Sequence, residues 1–109
     1  MSLTFDEYQE GTAKTAVYPL DKALEYTALG LTGEAGEVAN KVKKILRKDG
    51  GDPVQALIQL ADELGDVLWY VSELATTLGL DLSIVARRNL EKLASRQEEG
   101  TLKGSGDVR

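Results

Sequence analysis

The 109-residue chain sets 13 lysines and arginines against 18 aspartates and glutamates, a net charge of −5, and has neither cysteine nor histidine. That inventory excludes disulfides, zinc fingers, thiol nucleophiles and histidine-dependent triads, and the acidic excess argues against a general DNA-binding surface. The length suits one domain with its own core, and any metal site has to be built from oxygen ligands, which favours Mg²⁺ or Mn²⁺ over Ca²⁺.

No apolar run approaches the ~20 residues of a membrane span, and the N-terminus lacks a basic-then-apolar leader pattern. The expectation is a cytoplasmic protein with no membrane or nucleic-acid partner. Strand signals are nearly absent, while helix signals recur along the chain. Thr4-Phe5-Asp6-Glu7 fits a capping box, with Leu3 and Tyr8 placed as a hydrophobic staple. The helix that follows is predicted to end near Tyr18-Pro19, because the residue before proline disfavours helical geometry.

Asp21 is expected to cap a second helix running to about Lys48, with an apolar stripe of Leu24, Leu31, Ala35, Val38, Val42 and Ile45. Asp49-Gly50-Gly51-Asp52 breaks that pattern. Asp52-Pro53 restarts it as an N-cap followed by an N1 proline. The third helix carries Leu57, Leu60, Leu64, Val67, Val71, Leu74 and Leu78 on its apolar face and is predicted to end at Gly79. Asp81 is expected to cap a fourth, through about Gln97. Residues 1–99 read as one all-α domain, a four-helix bundle with a central antiparallel hairpin, and residues 100–109 as a short tail.

Two acidic pairs stand out, Glu34 with Glu37 on the second helix and Glu63 with Asp66 on the third. A spacing of three puts both members of a pair on one helix face. In an antiparallel hairpin, residues that share a midpoint sit at equal height. Glu34 with Asp66 and Glu37 with Glu63 both share the midpoint at position 50, inside the predicted turn. Four facing carboxylates repel one another unless a cation compensates them, and bundle cores hold divalent ions in this way.

The same helical steps carry the second-helix stripe on to Lys41, Lys44 and Lys48, and the third-helix stripe to Tyr70. An acidic patch beside a basic one suits a metal-bound polyphosphate. Gly30, Gly33, Gly36 and Gly65 lie inside helices, where each costs about 0.5–1 kcal/mol relative to alanine, pointing to close helix approach or to space kept open for a ligand. The bland alternative is that Glu37 with Lys41 is an ordinary surface pair and the acids are a solvated face.

Gly30-Leu-Thr-Gly-Glu-Ala-Gly-Glu-Val-Ala39 followed by Glu63-Leu-Gly-Asp-Val-Leu-Trp-Tyr70 resembles the two-part signature of the MazG-like nucleoside triphosphate pyrophosphohydrolases, an E-x-x-E and a later E-x-x-D. Gly79-Leu-Asp-Leu82 and Asn89-Leu-Glu-Lys-Leu93 resemble the segment that follows, so the likeness spans about Tyr26 to Arg96. The resemblance implies an all-α fold in which Glu34, Glu37, Glu63 and Asp66 hold Mg²⁺. It also implies cleavage between the α and β phosphates, giving a nucleoside monophosphate and pyrophosphate. By the same likeness Asn89 and Lys92 lie near the site, and the chain works as a homodimer or homotetramer with sites completed across subunits.

Further residues have two readings each. Trp69 and Tyr70 either stack on a nucleobase or fill the core, and Tyr70 shares the acidic stripe. Arg87 and Arg88 read as a solvated face, and Arg96 as phosphate-directed or as a helix-end charge. The tail is either disordered or folded over a neighbouring site. A phosphoribosyl-ATP pyrophosphatase shares the acid-pair plan, and a non-catalytic helical interaction module is the alternative of another class. Which carboxylate serves as general base, and which base and sugar are preferred, stays open at this level.

Overall fold

A computed structural model describes residues 2–49 and 51–100; Met1, Gly50 and all of the expected 100–109 tail except Gly100 lie outside that range. Four α-helices account for most of the described residues, with no strand among them: α1 (Phe5–Ala13), α2 (Ala23–Arg47), α3 (Pro53–Thr77) and α4 (Leu82–Glu98). The predicted capping box opens α1: Glu7 N donates to Thr4 Oγ1 at 3.0 Å and Thr4 N to Glu7 Oε1 at 2.9 Å. Asp52 caps α3 as expected, its Oδ1 accepting from Val54 N at 3.2 Å, with Pro53 at N1.

Two predicted boundaries are corrected. α1 stops at Ala13 rather than near Tyr18, because the backbone tightens there into i→i+3 bonds, Lys14 N to Gly11 O and Thr15 N to Thr12 O. The side chains of Thr15 and Tyr18 then reach across to α3. Asp21 does not cap α2. Pro19 fixes the start of a short 3₁₀ turn over Leu20–Lys22, so Asp21 falls inside it and Lys22 takes the N-cap position without a side-chain cap.

At α4, Asp81 does hold the N-cap position but makes no side-chain capping bond. The amide of Gln9 substitutes from α1: Leu82 N donates to Gln9 Oε1 at 2.8 Å, and Gln9 Nε2 donates to Leu80 O at 2.9 Å and Thr76 Oγ1 at 3.0 Å. One side chain thus ties three helices at the α3–α4 corner.

α2 and α3 make the most extensive contact, an antiparallel hairpin whose arms are each about 37 Å long at 1.5 Å per residue. Lys48 ends α2 in the left-handed region (φ 62°), with Lys48 N bonded to Ile45 O and Asp49 N to Lys44 O, a Schellman arrangement usually given to glycine. The predicted register holds. Gly30 and Tyr70 share the midpoint of the acidic pairs, and a Cβ on Gly30 would overlap the Tyr70 ring.

α1 packs on α3 and α4, and α4 on α1 and α3, so burial gathers at one end of the hairpin. The buried apolar side chains among the described residues are Ala75 and Leu82, joined by buried Thr12, Thr27, Ser72, Glu73 and Arg96. Much of the expected apolar stripe is instead exposed, including Leu24, Val42, Ile45, Leu57, Leu64 and Leu78. The radius of gyration, 16.5 Å, exceeds the ~13 Å of a compact chain of about 100 residues. Among the described residues nothing covers that stripe.

Candidate metal centre

The site is built where the two long helices face each other midway along the hairpin. α2 supplies Glu34 and Glu37, and α3 supplies Glu63 and Asp66. Carboxylate oxygens of Glu34, Glu63 and Asp66 lie within 4.8 Å of one another. Glu37 is exposed and stays outside that group. Sequence spacing thus brings together three of the four acids, with the fourth one turn away.

Electrostatics match the crowding. Burial, the charges of Asp66, Glu63 and Glu37, and the hydrogen bond to Glu63 together hold the Glu34 carboxyl above its ordinary value. This is uncompensated negative charge. An all-carboxylate donor set is hard, and it fits Mg²⁺ or Mn²⁺ rather than a metal that prefers nitrogen or sulfur.

A cavity of about 360 Å³ opens beside the acids, lined by Thr15, Glu34, Asp66, Trp69 and Tyr70. Tyr70 therefore stands where its stripe position predicts. Burial, a hydrogen bond with Tyr26 and the nearby Glu34 and Asp66 charges raise its phenol above the ordinary range, so it meets the cavity as a neutral O–H. Trp69 is half-buried in the wall, its Nε1 donating to Thr15 Oγ1 at 2.9 Å and its ring edge-on to Tyr70 at 5.0 Å between centroids. Thr15 is a lining residue that sequence reasoning missed. It sits on the segment after α1, and no local pattern signals a contact spanning 54 positions.

The other candidates lie elsewhere in the chain. Lys41 and Lys44 are half-buried further along α2, and neither lines this cavity. Asn89 and Lys92 line a separate groove of about 540 Å³ with Leu80, Ile84, Val85 and Arg88. Arg87 and Arg88 are exposed, in keeping with a solvated face, whereas Arg96 is buried. Of the interior glycines, Gly30 serves a close approach. Gly33, Gly36 and Gly65 have open space where a Cβ would stand.

The chain is 50% identical to the Gene 37 protein of Mycobacterium phage L5 over 111 residues, covering 95% of this chain and 97% of that one. No solved structure matches it. Residues 22–101 match the MazG nucleotide pyrophosphohydrolase domain, a stretch that contains all four acids and α2 to α4. The chain belongs to the MazG nucleotide pyrophosphohydrolase family.

Proposed function

We propose that the chain hydrolyses nucleoside or deoxynucleoside triphosphates between the α and β phosphates, giving the monophosphate and pyrophosphate, and so adjusts the cytoplasmic nucleotide pool. The observation that carries this reading is the convergence of Glu34, Glu63 and Asp66 within 4.8 Å, on the hairpin that matches the family.

Glu34, Glu63 and Asp66 would hold the divalent cation, with Glu37 as the fourth acid within electrostatic reach. Such a cation, when bound, neutralises polyphosphate charge and acts as a Lewis acid toward the attacked phosphorus. The chain's own groups do the rest. A carboxylate left unsaturated takes the proton of the attacking water as general base. Tyr70 offers its O–H at the cavity wall, and Trp69 and Thr15 shape the space beside the acids.

Lys41, Lys44, Asn89 and Lys92 are proposed to meet the outer phosphates in a homodimer or homotetramer. Support for assembly comes from the apolar side chains that one chain leaves exposed along the hairpin, among them Leu29, Leu46, Val54, Leu57 and Leu64. Uncovered apolar area of this extent marks an interaction surface.

The test is a panel of NTPs and dNTPs with Mg²⁺ or Mn²⁺, with products separated. Monophosphate and pyrophosphate are expected from at least one substrate, and a chelator should abolish both. Asp66→Asn should lose activity on the order of 100-fold or more while keeping its helical spectrum. Release of diphosphate with inorganic phosphate, or no release from any nucleotide, overturns the proposal.

A further inference from the structure

Glu73 is a carboxylate that the metal centre does not use. It is 1% exposed, and it extends the α3 stripe of Glu63, Asp66 and Tyr70 by one more turn. Both of its oxygens are occupied. Thr12 Oγ1 donates to Oε2 at 2.7 Å and the Tyr18 hydroxyl to Oε1 at 2.6 Å. With the Thr12 proton given to the carboxylate, the buried Ser72 Oγ donates in turn to Thr12 Oγ1 at 2.9 Å. A carboxylate is tolerated in such a place only where strong donors meet its lone pairs. Here they come from α1 and from the segment that joins α1 to α2.

That joining segment is otherwise largely exposed. Val17 and Leu20 are 93% and 85% exposed, and Tyr18 between them is the side chain turned inward to α3. The Tyr18 ring stacks on Tyr26 (5.2 Å, 19°) and meets Trp69 edge-on at 6.4 Å. Trp69 in turn bonds Thr15 on the same segment and packs against Tyr70. Thr15, Trp69 and Tyr70 are the cavity wall facing Glu34 and Asp66. A line of contact therefore runs from the buried carboxylate to the site.

We infer that Glu73 is a positioning residue: through Tyr18 and Thr12 it fixes residues 14–22, and with them the Thr15–Trp69–Tyr70 wall of the substrate cavity. The part of this that concerns substrate rests on the function proposed above. Glu73 does not line the cavity or join the three-acid group, so its effect falls on substrate affinity and leaves the hydrolytic step alone.

Tyr18→Phe keeps the ring and removes the bond; Glu73→Gln keeps the shape and removes one acceptor. Two readouts need no substrate. Trp69 is the chain's single tryptophan, so its emission reports the wall directly. Lys14 and Lys22 are exposed and flank the segment, so trypsin reports its opening. Both variants should keep the helical spectrum, shift Trp69 emission to the red, and be cut after Lys14 or Lys22 about tenfold faster. KM should rise about five- to tenfold with kcat changed less than about twofold.

Emission unchanged in a folded Tyr18→Phe overturns the inference. So does faster cutting with KM unmoved, which leaves Glu73 a structural anchor alone, and so does a fall in kcat at constant KM. If the unsubstituted chain hydrolyses no nucleotide, the function proposed above fails, and the emission and trypsin readouts still decide whether Glu73 sets the wall. Should Glu73→Gln fail to fold, Tyr18→Phe carries the test.

Discussion

The two halves of the α2–α3 hairpin are built on different terms. At the open end Thr27, Ser72, Glu73 and Ala75 are buried, and α1 and α4 are fastened there by side-chain hydrogen bonds from Gln9, Thr12 and Tyr18. In the turn half, residues 38–64, no described side chain is fully buried, and Leu46, Val54 and Leu57 stand 77%, 62% and 64% exposed. One end is finished by its own chain; at the other, the described residues leave an apolar face exposed. The acids lie at the boundary, so the site draws its order from the first half and leaves its other side open.

The largest effect that separates the halves comes from Thr12→Val. It takes a donor from the Glu73 carboxylate and an acceptor from Ser72, and should cost about 2–3 kcal/mol, read as a fall in melting temperature. Leu57→Ala should cost under about 0.5 kcal/mol in dilute protein and more where copies associate. Equal losses for both at every concentration would break the contrast.

Next come the glycines. Gly30→Ala drives a methyl into the Tyr70 ring and should cost about 1–3 kcal/mol. Gly33→Ala meets nothing within the chain and should gain about 0.5–1 kcal/mol from helix propensity. A loss at Gly33 instead would mean that a second copy or a ligand approaches there.

A smaller gain is expected in the turn half from Lys48→Gly. It relieves a non-glycine residue held at φ 62° and should raise stability by about 0.5–1 kcal/mol in denaturant titration.

The smallest expected effect is a pH slope at the boundary. The folded-state pKa of Glu34 is raised, so the metal-free fold binds its proton more tightly than the unfolded chain does. Its contribution is most favourable below the ordinary value of 4.5 and is lost as pH rises through the raised value. Glu34→Gln should flatten that slope in metal-free protein, and an unchanged slope would show that the charge crowding there has no effect on stability.

Local signals carried much of this fold. The Thr4 box, the Asp52-Pro53 cap and the glycine turn are short-range patterns, and all mark helix ends correctly. The shared midpoint at position 50 gave the hairpin register, and with it the meeting of Glu34 with Asp66. The misses are long-range. Gln9 caps Leu82 N in place of Asp81 from 73 positions away, and Thr15 reaches Trp69 across 54. Glu73 drew no reading from the sequence, although it continues the phase of Glu63, Asp66 and Tyr70 along α3 into the buried end. Periodicity also told which face of each helix is apolar, but not that the described residues leave so much of it exposed.

In the proposed assembly, the apolar face at the turn half ties folding to mass action. A hairpin whose apolar side is closed by another copy gains stability with each rise in protein concentration, by the same linkage that makes a ligand stabilise what it binds. At low copy number the boundary where the acids sit would be supported from one side alone. Accumulation of the protein would then act as its own threshold, with dilution loosening the site before it unfolds the end where Glu73 is buried.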